Sequence, residues 1–176
     1  MLQDLATALT ITGEDPSHEV AIAALHAEAF GPGRFARAAE RVREEGGHDP
    51  ALSFVALQAD EFLGSVRMTP IVVGTPMSLA RGHLLGPLAV LPRVKHQGIG
   101  RALIDRAIIA AERRGSRFTL LVGDRPYYER HGFVPVEGPV MPGPADPERV
   151  LVRWSGEPER LHGPVRHAAR ETFRRG

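Results

Sequence analysis

Two short segments of the chain carry residue types at spacings that could do chemistry. The first, Lys95-His96-Gln97-Gly98-Ile99-Gly100-Arg101, stands between a strand pattern and the strongest helix pattern in the sequence. At such a junction backbone N–H groups point outward, the helix dipole favours an anion, and glycines let a pyrophosphate approach the main chain. Two better-known glycine motifs fail here on residue identity. The dinucleotide fingerprint needs a third glycine where Leu103 stands, and the triphosphate loop needs Gly-Lys-Ser/Thr where Gly100-Arg101-Ala102 stands. By itself the segment fits a tight strand-to-helix turn equally well. The second segment, Gly123-Asp124-Arg125-Pro126-Tyr127-Tyr128-Glu129-Arg130-His131-Gly132-Phe133, offers two phenols. A phenol has a reference pKa of ~10, so it stays protonated at neutral pH and can hand a proton to a departing anion. Taken alone, the pair reads as packing residues of a short helix.

The elements that must position these segments follow from hydrophobic periodicity and turn residues. A short strand is expected at 8–11, then a helix over 16–30 with Val20, Ile22, Ala24, Leu25 and Phe30 at helical spacing, stopped by Gly31-Pro32-Gly33. A second helix over 34–45, half exposed, ends at Gly46-Gly47. Strands at 53–57 and 62–73 flank Asp60-Glu61 as a hairpin, and turn formers fill 74–82 before a strand at 83–90. The helix over 97–114 has one apolar stripe, Ile99, Leu103, Ala107, Ala110 and Ala111, with Arg113, Arg114 and Gly115 suited to its C-terminus. A strand at 118–122, a short helix at 126–131, strands at 133–136 and 150–154, and an exposed Pro- and Gly-rich loop over 138–147 complete the pattern. The order reads as α/β with a mixed sheet.

Length and composition narrow the function classes. With 176 residues, 43% of them hydrophobic, the chain suits one globular domain over 1–154 with a ligand cleft, followed by a basic tail over 155–176. The tail holds Arg160, Arg166, Arg170, Arg174 and Arg175, and reads as a solvated helix or frayed end, packed on the domain or extending from it. Since 22 basic side chains face 21 acidic ones, the balance supports no general binding of nucleic acid. The absence of cysteine removes disulfides, thiolate metal sites and cysteine nucleophiles, and fits a cytoplasmic protein. No basic-then-apolar leader opens the sequence and no run approaches the ~20 apolar residues of a membrane span, so a soluble, unprocessed protein is expected.

Taken together, the segments resemble the coenzyme A site of the GNAT superfamily of N-acetyltransferases. Its loop pattern is Arg or Gln, two residues, Gly, any residue, then Gly or Ala; Lys95, Gly98 and Gly100 occupy those places, with Lys95 a departure from the usual residue. Upstream, Leu84-Leu85-Gly86-Pro87-Leu88-Ala89-Val90-Leu91-Pro92 is similar to the family strand that precedes the loop. The arrangement Leu-Val-Gly-Asp before the Tyr-Tyr pair resembles the YhbS-like branch. The resemblance implies a mostly antiparallel central sheet flanked by helices, opening between the strands at 84–90 and 118–122. It further implies that Leu88 and Val90 pair through their main chain with the pantetheine arm, and that Lys95, His96, Gln97, Gly98, Ile99, Gly100 and Arg101 form the pyrophosphate turn. Tyr128, separated by three residues from Gly132-Phe133, takes the place of the general acid beside the sulfur, and Tyr127 becomes core or cleft wall. The Asn that commonly bonds the coenzyme arm is missing, since the chain contains no Asn.

The implied function is transfer of an acetyl or short acyl group from acetyl-CoA, without a metal, to a primary amine by direct attack. The acceptor would be an amine-bearing small molecule or peptide, and the protein a monomer or homodimer. Residues of the acceptor side are less legible. His83 and Asp124 lie near the expected opening without matching a family position, and Asp124 suits a helix cap. His26 and Glu28, two apart on a helix, do not share a face. No general base is assigned. The rival readings are a non-catalytic acyl-CoA sensor of the same fold and a nucleic-acid module using the arginine-rich tail.

Overall fold

The computed structural model of the chain describes residues 8–33 and 37–174. β1 (Thr10–Gly13) begins two residues later than expected. A 3-10 turn then leads into α1 (Glu19–Phe30), whose buried residues Ile22, Leu25 and His26 recur at the three- and four-residue intervals of one helical face. α2 (Ala38–Glu44) buries Ala38 and Val42, one turn apart, and leaves its other side exposed. The expected first turn of this helix, residues 34–36, lies outside the described residues, as do residues 1–7 and Arg175.

β2 (Phe54–Gln58) and β3 (Glu61–Thr75) form the expected hairpin, with Ala59 and Asp60 at positive φ in the two-residue turn. The stretch 74–82 is a correction. β4 (Ser78–Val90) pairs with β3 as far as Thr75 opposite Ser78, so only Pro76 and Met77 turn. Its glycines are there for close approach: a Cβ on Gly82 would stand 2.5 Å from the carbonyl oxygen of Phe118.

α3 (Ile99–Arg113) is the helix read from the apolar stripe, trimmed at its start. Ile99, Leu103, Ile104, Ala107, Ile108 and Ala111 are buried in one core that also takes Val66, Met68 and Leu85. Each large apolar side chain buried there contributes roughly 1.5–3 kcal/mol before chain entropy is counted. β5 (Phe118–Val122), the short α4 (Arg125–Tyr128), β6 (Val134–Pro135), β7 (Pro139–Val140) and β8 (Val150–Trp154) follow. A second core, holding Ala38, Val42, Ile71, Leu84, Phe118 and Leu120, occupies the other face, because successive strand residues point to opposite sides.

The second correction concerns the C-terminal segment. The strand at 150–154 is followed by another, β9 (Gly163–His167), which pairs antiparallel with Ile71–Val73 of β3 and parallel with β7. Gly163, Val165 and His167 are buried while Arg166 is exposed. Arg166 thus stands on the outer side of a half-buried strand, while exposed Arg170 belongs to the 3-10 helix Ala168–Arg174 that follows it. β7 likewise gives structure to the expected 138–147 loop, where Met141 is buried.

The strands form one sheet in the order β1-β2-β3-β4-β5-β8-β6, with β9 continuing the β2 edge of β3. Along that order every pairing is antiparallel except β4 with β5, whose register covers only His83–Thr119 and Leu84–Leu120. Beyond those two pairs the strands part, and the sheet opens where the sequence resemblance implied. At the same place β4 carries a bulge: Met68 faces Leu85 while Val66 faces Leu88, leaving one extra residue around the cis Gly86-Pro87 bond.

Candidate active site

The split between β4 and β5 is lined by Leu85, Gly86, Pro87 and Leu88 from one strand and by Leu121 and Val122 from the other. Tyr128 of α4 closes the same cleft, and the helices α1 and α2 roof it with His26, Phe30, Arg37, Glu40 and Arg43. These groups come from five separate stretches of sequence, and the sheet opening brings them together.

Tyr128 packs against Gly123, where a Cβ would collide with its ring at 2.5 Å. Its ring meets Tyr127 edge-on at 4.9 Å and Phe133 at 5.9 Å, which holds its orientation. Burial, then the neighbouring Tyr127, pushes the phenol up to about 12, although Arg43 pulls the other way. The group is therefore a proton donor throughout the neutral range. Tyr127 points elsewhere: its hydroxyl lies 2.7 Å from where a Cβ on Gly100 would stand, over the first turn of α3. Burial raises its pKa as well, against Arg130. The two phenols thus serve different sides of the split, Tyr128 the cleft and Tyr127 the start of α3.

The turn from Lys95 to Arg101 opens α3 with Gly98 in the left-handed region, φ 82°, and no side chain caps the helix. An α-helix leaves its first four N–H groups without intrahelical partners, here those of Gly98, Ile99, Gly100 and Arg101. A Cβ on Gly98 would meet nothing within 4 Å, so the outer side of the turn is open to a group that fits against main chain. Lys95, His96, Gln97 and Arg101 are exposed around it, and His96 also has positive φ, 67°. Ile99 is different, since its side chain is 4% exposed in the core and only its main chain can face a ligand. Leu88 lines the cleft, and Val90 packs close to Gly100.

Sequence reasoning passed over Arg43 and Glu40 of the roof and weighed His26 only against Glu28. Arg43 bonds Glu40 through Nη1 at 2.9 Å, and its side chain is 17% exposed. Burial depresses the guanidinium pKa, with Glu40 opposing, but an arginine remains cationic. His26 is 8% exposed, with Nε2 3.3 Å from the Ser65 hydroxyl. Burial, helped by Arg67 and Arg43, holds it down to about 4, so it is neutral at physiological pH. The i,i+3 spacing of Glu40 and Arg43 was visible in the sequence, yet such pairs are common on solvated helices. Nothing local marked this one as facing a cleft.

The two histidine and aspartate candidates near the opening fall away from it. His83 Nδ1 lies 2.8 Å from the Ser116 hydroxyl, which donates to the Phe118 carbonyl, a structural chain outside the cleft lining. Asp124 is the exposed residue at the N-cap of α4, its carbonyl accepting from the N–H groups of Tyr127 and Tyr128. Beneath the roof, Glu14 joins β1 to β3 and α1. It takes a two-pronged contact from Arg67, which also reaches Glu19 at 2.6 Å. Burial alone would raise the Glu14 carboxyl, but hydrogen bonds from His48 and Arg67 and their charges hold it down to about 2. Among the described residues no group of three or more His, Asp or Glu could hold a metal ion. No described helix is long and apolar enough to cross a membrane.

Comparison with known proteins agrees with this architecture. Residues 49–135 match the acetyltransferase (GNAT) domain family. The uncharacterized N-acetyltransferase YjhQ of Escherichia coli K12 is 30% identical over 161 residues, covering 88% of this chain and 89% of that protein. Among solved structures, the GNAT family N-acetyltransferase YhbS of Escherichia coli, crystallised with CoA, superposes with a TM-score of 0.76 at 23% identity, covering 100% of this chain and 98% of its own. A GNAT family acetyltransferase from Brucella melitensis in complex with acetyl-CoA gives a TM-score of 0.68 at 26% identity, covering 93% of this chain and 98% of that one. With the opened sheet, the glycine turn and the near-full-length similarity in agreement, the chain belongs to the GNAT acetyltransferase family.

Proposed function

We propose that this protein transfers an acetyl or other short acyl group from acetyl-CoA to a primary amine by direct attack. The observation that carries the reading is Tyr128, a phenol kept protonated by burial, lining the cleft at the point where β4 and β5 separate. Acetyl-CoA, when bound, supplies the thioester. The pyrophosphate lies on the N–H groups of Gly98, Ile99, Gly100 and Arg101, with Lys95, His96 and Gln97 at its margin. The fit is supported by the open space over Gly98 and by glycine at position 100, where Tyr127 leaves no room for a larger residue. The main chain of Leu88 and Val90 holds the pantetheine arm as an added strand would, and an N–H near Leu88 polarises the carbonyl.

The amine nitrogen bonds to the carbonyl carbon as the carbon–sulfur bond breaks. Tyr128 gives its phenolic proton to the sulfur and regains one from solvent, and the surplus proton of the amine leaves to water. The absence of cysteine supports direct attack over a cysteine-bound intermediate and supports a cytoplasmic protein.

The test has two arms. Acetyl-CoA should raise the melting temperature, since a ligand at a hundred times its Kd stabilises by ~2.7 kcal/mol. Free thiol should then appear when an amine acceptor is added. Stabilisation with no thiol release across a broad amine panel would identify a non-catalytic acyl-CoA-binding protein instead.

A further inference from the structure

The cleft is not charged for a cationic acceptor. Arg37 and Arg43 face it against a single carboxylate, Glu40, and His26 carries no charge at neutral pH. A polyamine would bring its positive charges against two guanidinium groups.

Arg43 also has an unused edge. Among the described residues Glu40 is its side-chain partner, and Glu40 occupies Nη1. On the opposite edge Nε is fully enclosed without a hydrogen-bond partner, an arrangement that is costly unless something completes it. Nη2, on the same edge, lies over Gly86 of the β4 bulge, 2.9 Å from where a Cβ would stand. Arg67 shows what such an edge takes: its Nε and Nη2 both donate to the Glu14 carboxylate, at 2.9 Å and 2.5 Å.

We propose that the amine acceptor carries a carboxylate, and that Arg43, which faces the cleft, binds it through Nη2. This rests on the acyl-transfer reading above and names its substrate class. Gly86 stands two residues before Leu88, and a Cβ on it would lie 3.7 Å from the Leu88 backbone nitrogen, so only a few bonds separate the carboxylate from the attacking amine. The half-open cleft of about 130 Å³ suits the same conclusion, because pockets for drug-sized ligands hold ~300–1,000 Å³. Short aminocarboxylates meet both conditions.

Matched acceptors test this. α-, β- and γ-aminocarboxylates, their primary amides, the corresponding aminophosphonates and a polyamine are each offered with acetyl-CoA, and kcat/KM is read from thiol release. In an α-amino amide the amine is less basic than in the parent acid and is more often neutral, so intrinsic reactivity favours the amide. A preference for the acid therefore comes from the protein. The wild type should prefer an aminocarboxylate by roughly 10-fold or more over its amide. Arg43→Gln should erase that preference and Arg43→Lys restore part of it, with acetyl-CoA affinity by calorimetry unchanged in both. Equal or better use of the amides or the polyamine by wild-type protein overturns the proposal, whether or not the variants fold. A preference for the phosphonates overturns the choice of carboxylate. Acetyl-CoA binding with no thiol release for any acceptor overturns the acyl-transfer reading, and this inference with it.

Discussion

On either side of the β4–β5 split the protein presents two unlike surfaces. The turn at 95–101 is exposed, its side chains are mixed, and its order comes from a 15-residue helix seated on an apolar core. The cleft under α1 and α2 is the reverse: half-buried and charged, lined by Arg43 paired with Glu40, with Arg67 tying Glu14 to Glu19 of α1 nearby. A main-chain site tolerates change in its side chains as long as φ and ψ are kept, whereas a buried ion pair fails when one partner is lost. The family match over 49–135 spans the turn and Tyr128 and stops short of α1 and α2. On the proposed reading, the surface that would take acetyl-CoA is thus separable from the surface that would meet the acceptor.

The sharpest way to break this division is Tyr128, which sits at the boundary. Tyr128→Phe keeps the ring's edge-on contacts with Tyr127 and Phe133 and removes the proton. Turnover should fall by ~10²–10⁴-fold with little change in stability or acetyl-CoA affinity. Stopped-flow kinetics that establish chemistry as rate-limiting, followed by steady-state comparison of the two enzymes, provide the check. Only a small loss would return the proton to solvent and make Tyr128 a packing residue.

A smaller effect is expected at the turn. Gly98 holds φ 82° with open space around it, so Gly98→Val is opposed by backbone strain rather than by collision. A strained position of this kind costs on the order of 1–3 kcal/mol, so acetyl-CoA should bind roughly 10-fold more weakly or worse. Lys95→Ala, measured by the same calorimetry, should lose under about 3-fold because the main chain carries the site. Equal losses in the two variants would show that side chains do the binding and that the contrast between the surfaces is wrong.

The least effect on catalysis, and a clear one on stability, is expected at Glu14. Its folded pKa of about 2 lies below the ordinary 4.5. The linked stability is therefore fully present above pH 4.5 and is lost as pH falls through about 2. Glu14→Gln should lose on the order of 2 kcal/mol at neutral pH and show a flatter decline between pH 4.5 and 2. Denaturant unfolding across that range measures it. A wild-type acid profile that matches the variant's would mean the Arg67 network does not hold the roof.

What the sequence determined by itself is local. The apolar stripe of α3, the strands at 118–122 and 150–154, and the glycines and Tyr-x-x-x-Gly-Phe spacing around the proposed cofactor side all lie within short windows, where periodicity and turn chemistry act. The tertiary structure decided the rest. Gly74 and Gly82 looked like loop residues because a glycine admitted for close packing carries the same letter as one admitted for a turn. β9 looked like a basic tail because its partner is Ile71–Val73, some ninety residues earlier, and only that pairing gives Val165 and His167 an inside. Arg43 and Glu40 looked like a solvated pair for a similar reason. Their burial comes from the β4 bulge and from Tyr128, and no residue near them in the chain encodes which surface will close over a helix face.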